Sequence, residues 1–140
     1  MIVIDASVAI KCVLPEDGSE EAQALFAAEA CLAPDLIFSE CMNVLWKNAK
    51  RGTLTRAEAE AAGVLFGDIG LEILPSGPLS ERALSLALSL DHPAYDCFYL
   101  ALAEARGLEL VTMDKALVRK VEATAATPAA IRLLKGNLDA

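Results

Sequence analysis

The chain has 140 residues, 55% of them hydrophobic, with 12 Lys and Arg against 20 Asp and Glu for a net charge of −8. That length lies below the ~250 to 300 residues at which single cores split, so one domain over residues 1–140 is predicted, large enough to bury a real core. The negative balance excludes a global positive field that would draw in a polyanion, and 5% aromatic content argues against a base-stacking surface, so a nucleic-acid role needs metal ions or a local basic patch.

The opening Ile2-Val3-Ile4 is apolar without alternation, the pattern of a strand covered on both faces, as in a parallel sheet between helices. It ends on Asp5 and, two positions later, Ser7. Ligands of such sheets bind outside the carboxyl ends of the strands, which would place Asp5 and Ser7 at a site. Each can equally be an N-cap of the helix expected from Val8 to Leu14 and stopped at Pro15. The start has neither a basic segment nor a long apolar run, so no signal peptide is expected there. Glu16-Asp17-Gly18-Ser19 reads as a turn, Glu20 to Ala30 as a surface helix, and Cys31-Leu32-Ala33 as a short strand. Pro34-Asp35 opens a helix to about Arg51, closed by Gly52. Within it Glu40 shares a largely apolar face with Ile37, Asn43 and Val44, which implies a partly buried glutamate, the alternative being a surface one. Lys47, Lys50 and Arg51 form the one dense basic cluster.

Thr55-Arg56-Ala57-Glu58 is a capping box at the head of an amphipathic helix to Ile69. Leu71 to Leu74 is expected as a strand, and Leu79 to Leu90 as a helix whose leucines are core. From Ala94 to Ala103 the sequence is apolar or aromatic all round, as for a buried helix, with Asp96 its only charge. A lone buried carboxylate is costly, and no Arg or Lys lies one turn away, so its partner must come from elsewhere in the fold or be a cation. His92, before Pro93 at the helix entry, reads as a turn residue rather than a ligand. Gly107 ends this helix, and Leu108 to Thr112 forms a strand running into Asp114 and a helix from Lys115 to Ala123. The hydroxyl and carboxylate of the opening thus recur in reversed order, Asp114 serving as a site residue or as an N-cap. Ile131 to Leu134 is a last edge strand. Cys12, Cys31, Cys41 and Cys97 lack C-x-x-C spacing, and His92 is the single histidine, which argues against zinc and for buried, reduced thiols in a cytoplasmic protein. Charges interrupt every apolar run before the ~20 residues of a membrane span.

Strand ends of a parallel sheet converge on one edge, where three or four acids would repel one another unless something positive held them. Oxygen ligands without imidazole or thiolate point to Mg²⁺ or Mn²⁺, and the matching chemistry is phosphodiester hydrolysis by an activated water. Four segments in order, Val3-Ile4-Asp5-Ala6-Ser7, Ser39-Glu40 with Asn43-Val44-Leu45, His92-Pro93-Ala94-Tyr95-Asp96 with Tyr99 to Ala103, and Val111-Thr112-Met113-Asp114, resemble PIN-domain ribonucleases, most of all the VapC toxins of prokaryotic toxin–antitoxin pairs. The resemblance covers nearly the whole chain. It implies a three-layer α/β/α fold with a parallel sheet of about five strands, and a metal-dependent endoribonuclease acting as a toxin. Asp5, Glu40, Asp96 and Asp114 would be the catalytic, metal-binding acids, with Ser7 and Thr112 as supporting hydroxyls and Mg²⁺ or Mn²⁺ as the cofactor. It further implies an RNA substrate, a homodimer, and a small antitoxin whose basic tail blocks the acidic pocket, which the net charge of −8 suits. Other readings of the same acids are a metal-dependent phosphatase, a DNA nuclease, or a receiver-like binding module without turnover. A phosphoaspartate enzyme wants a second acid where this chain has Ser7, and a receiver wants adjacent acids where it has Ala6.

Overall fold

The structure is a computed structural model that describes residues 1–137. Its centre is β1 (Ile2–Ile4), every residue of which is buried, as the unbroken apolar run requires of an inner strand. β2 (Cys31–Pro34), β3 (Glu72–Leu74), β4 (Leu110–Thr112) and β5 (Ile131–Leu133) complete a five-stranded sheet in the order β3-β2-β1-β4-β5. All pairings are parallel, with Ile2 opposite Cys31 and Val3 opposite Leu110. The chain therefore steps outward from β1 to β3 and returns across the sheet to β4. Loops after β1 and β4 leave in opposite directions, which opens a crevice at their carboxyl ends.

Helices α1 (Ala6–Ala9), α2 (Ser19–Ala28), α3 (Leu36–Arg51), α4 (Arg56–Phe66), α5 (Ser80–Leu90), α6 (Ala94–Arg106) and α7 (Lys115–Glu122) flank the sheet in a three-layer α/β/α arrangement. α6 packs on β1, β2 and β4 and carries α5 on its outer side. Thr55 caps α4 through the expected capping box, and α3 ends on Gly52 at φ 80°, a left-handed position that glycine adopts without strain. None of the helices among the described residues is long and apolar enough to cross a membrane.

Several expectations are corrected. The first helix begins at Ala6 and passes into a 3-10 turn over Ile10–Cys12, because the Asp5 side chain caps it two residues earlier than read. The leucines of α5 are not all core: Leu86 and Leu90 are buried, whereas Leu84 is 57% and Leu88 75% exposed. Residues two apart on a helix point to nearly opposite sides, so an alternating Leu-x-Leu-x-Leu run divides its leucines between two faces. α6 is likewise not enclosed all round, since Tyr95 is exposed and Asp96 only partly covered. The cysteines are free thiols, three buried and Cys12 partly so, with burial raising Cys12, Cys31 and Cys97 to about 11.

Candidate functional site

Asp5 lies just beyond β1 and Thr112 and Asp114 at the end of β4, so they face each other across the crevice of the sheet. Asp5 is the N-cap of α1. Its Oδ1 accepts from the Val8 backbone N–H at 3.3 Å and from Ser7 Oγ at 2.6 Å, while the Thr112 hydroxyl donates to Oδ2. The hydroxyls are themselves held, Ser7 Oγ by the Met113 N–H at 2.9 Å and Thr112 Oγ1 by the Asp114 N–H at 3.0 Å. Asp5 is only 4% exposed. Burial pushes its pKa up to about 6, against the pull of Ser7 and Thr112, and the nearby charge of Asp96 adds to the rise. A cation beside this carboxylate would reverse that penalty.

Glu40 reaches the same region from α3, where the buried Tyr99 of α6 donates to its Oε1 at 2.5 Å. Desolvation raises the Glu40 pKa, the Tyr99 bond opposes the rise and Asp96 adds to it. The Tyr99 phenol is raised too, by burial and by the carboxylate it serves. The partly buried glutamate expected from its apolar face is therefore found. Beside it opens a cleft of about 600 Å³ lined by Ser39, Glu40, Asn43, Lys47 and Tyr95.

Asp96 and Asp114 meet on the other side. The Leu117 N–H caps α7 through Asp114 Oδ1 at 3.1 Å, which leaves Oδ2 facing His92 Nε2 at 3.7 Å. The same Nε2 lies 2.7 Å from Asp96 Oδ2. His92 is thus no mere turn residue: its side chain is 6% exposed, and one donor atom from each of His92, Asp96 and Asp114 lies within 4.8 Å of the others. It is also the partner of Asp96, which comes from four residues before it and not, as expected, from elsewhere in the fold. The four-residue spacing of His92 and Asp96 carried that signal, but Pro93 between them disguised a helical-type neighbour as a loop residue. Tyr99 had no stated role in the sequence, and Lys120, 3.2 Å from His92 Nδ1, has no local signal at all.

The structure brings Asp5, Ser7 and Thr112 into direct contact, and Asp96 and Asp114 around one imidazole. Glu40 joins them through the field it shares with Asp96. Carboxylate and hydroxyl oxygens dominate this donor set, which fits a hard divalent ion that retains several waters. His92, Asp96 and Asp114 lie close enough together for one ion to reach an atom of each, with Asp5 and Glu40 near enough for the charge of Asp96 to act on both.

Comparison with known proteins bears on the chain as a whole. Residues 2–123 match the model of the PIN domain. Ribonuclease VapC3 of Pyrobaculum aerophilum is 35% identical over 127 residues, covering 87% of this chain and 95% of its own. Ribonuclease VapC9 of Mycobacterium tuberculosis is 38% identical over 114 residues, covering 81% and 86%. The crystal structure of PAE2754 from P. aerophilum superposes with a TM-score of 0.71 at 26% identity, covering 95% of this chain and 90% of that one. With the sheet order, the crevice and the acids already described, these matches show that the chain belongs to the PIN-domain family.

Proposed function

We propose that this protein is a metal-dependent endoribonuclease, the toxin of a toxin–antitoxin pair, hydrolysing RNA phosphodiester bonds. The observation that carries the proposal is Asp5: a carboxylate enclosed by hydroxyls and pushed up to about 6 sits at the carboxyl end of the central strand, within the field of Asp96. The relatives named VapC ribonuclease support RNA as the substrate.

In this reading Asp5, Glu40, Asp96 and Asp114 hold Mg²⁺ or Mn²⁺. The chemistry such an ion supplies is that of a Lewis acid, activating water and neutralising charge on the phosphoryl oxygens. The chain's own groups prepare the place. Ser7 and Thr112 fix the plane of the Asp5 carboxylate, and Tyr99 fixes Glu40. Lys47 and the exposed Tyr95, on the rim of the cleft beside Glu40, offer a phosphate partner and a stacking face to a single strand. This local patch meets the need of a protein with a net charge of −8.

A small antitoxin with a basic tail and a homodimer belong to the same proposal. The exposed apolar groove lined by Met42, Trp46, Gly63 and Val64 supports a docked partner, and Leu84 and Leu88 add uncovered apolar surface. The deciding experiment incubates the pure protein with a mixed RNA pool in Mn²⁺ or in EDTA. Cleavage only with the metal, and none by Asp96→Asn, is expected. Cleavage in EDTA, or wild-type rates in the variant, overturns the proposal.

A further inference from the structure

We propose that His92 is a positioning residue of the metal site: its Nε2–H holds one oxygen of Asp96, Lys120 fixes the tautomer of the ring, and the other Asp96 oxygen is left to face the ion. The proposal rests on the reading that Asp96 and Asp114 hold a divalent cation. It runs against the simplest interpretation of three donor atoms within 4.8 Å, which would make the imidazole a ligand.

The argument turns on what stands behind the ring. Lys120 Nζ donates to the carbonyl of Asp91 at 2.6 Å and lies 3.2 Å from His92 Nδ1. An ammonium has donors and no acceptor, so Nδ1 must be the accepting nitrogen. The proton of the neutral ring then resides on Nε2, which points at Asp96 Oδ2 at 2.7 Å. A histidine that ligates a metal is arranged the other way round. Its free nitrogen donates to a carboxylate or a carbonyl, which leaves the second nitrogen bare for the ion. Here an ammonium occupies the place that such an acceptor would take.

The supporting frame is stiff. Asp91, whose carbonyl anchors Lys120, caps α5 in the left-handed region at φ 50°, and Pro93 follows the histidine directly. Ammonium, imidazole and carboxylate thus form a line from α7 to α6, which brings positive charge behind two acids that would otherwise repel. A carboxylate anchored through one oxygen loses little rotational freedom on binding an ion through the other.

The test uses the full chain without a histidine tag, so that His92 is its single imidazole. Calorimetric titration with MnCl₂ compares the wild type with His92→Ala, His92→Gln, Lys120→Met and Asp96→Asn, with melting in EDTA as the control for folding. His92→Ala is expected to weaken Mn²⁺ binding about 10- to 100-fold. His92→Gln, which keeps a donor near the position of Nε2, should recover most of that loss. Lys120→Met should fall between them, and electron spin echo of wild-type Mn²⁺ protein should show no imidazole nitrogen coupling. Such a coupling, or unchanged affinity in both His92→Ala and Lys120→Met, overturns the proposal. If Asp96→Asn abolishes binding while the His92 and Lys120 variants bind normally, the metal site stands and only the role of His92 falls. If Asp96→Asn binds as the wild type does, both fall together.

Discussion

Asp5 and Asp96 occupy the same crevice and feel each other's charge, yet they are secured differently. Asp5 is sealed, at 4% exposure, and takes three donors from its own turn and from β4. The Asp96 side chain is 29% exposed and has His92 as its partner, backed by a lysine from α7. The sealed half carries a high electrostatic cost that its hydrogen bonds only partly offset, whereas water and a neighbouring cation moderate the open half. Burial therefore decides how strongly an acid resists its own charge, and the residue at the deepest strand end pays most.

The largest expected effect concerns both halves alike, as loss of catalysis. Asp5→Asn and Asp96→Asn should each reduce the initial rate of RNA cleavage in Mn²⁺ by roughly a hundredfold or more, since each removes a charge at the proposed metal site while keeping side-chain shape. A variant retaining a tenth of the rate would remove its residue from the site. The next effect separates the halves. With the Asp5 pKa raised from 3.8 to about 6, its favourable contribution is fully present below 3.8 and is lost as pH rises through 6. In EDTA at pH 7, Asp5→Asn should therefore be more stable than the wild type, by an amount on the order of 2 kcal/mol. That gap should close as pH falls towards 4, and urea unfolding of both proteins at several pH values measures it. A gap independent of pH would mean that Asp5 is not destabilised by its charge.

Tyr99→Phe should cost about 1 kcal/mol by the same assay, through loss of the bond to Glu40 without loss of the ring's packing. The smallest effect is that of Asp96→Asn on the metal-free protein. Its amide oxygen still accepts from His92, and relief of repulsion with Asp5 and Glu40 should raise stability by up to about 1 kcal/mol. Manganese at a hundred times its dissociation constant should add about 2.7 kcal/mol to the wild type and much less to this variant. If the variant melts lower in EDTA and gains as much from the metal, Asp96 stands apart from the other acids.

The strand ends on which Asp5 and Asp114 stand were legible from local signals. Ile2 to Ile4 reads as an inner strand from its unbroken apolar run, and Leu108 to Thr112 reads as a strand, of which Leu110 to Thr112 is the observed part. For Asp5 and Asp114 the structure shows the N-cap, and since a carboxylate has two oxygens and the cap uses one, the cap is compatible with the proposed site role. What stayed hidden depends on burial and on distant partners. Leu84 and Leu88 carry the same chemistry as Leu86 and Leu90, and only the helical phase separates them. Lys120 lies 28 residues from the ring it orients, a relation that exists only once α7 has packed.

The central position of β1 also bears on how the protein is made. Val3 is synthesised long before Leu110, its neighbour in the sheet, and the proposed pocket draws on residues 5, 40, 96 and 114. No nascent chain shorter than residue 114 can contain that pocket, and pairing across so long a separation is slow to form. With the proposed pocket as the site of cleavage, the ribosome and the message are shielded from the enzyme until Asp114 has been added, and a copy terminated before that residue lacks one of the four acids.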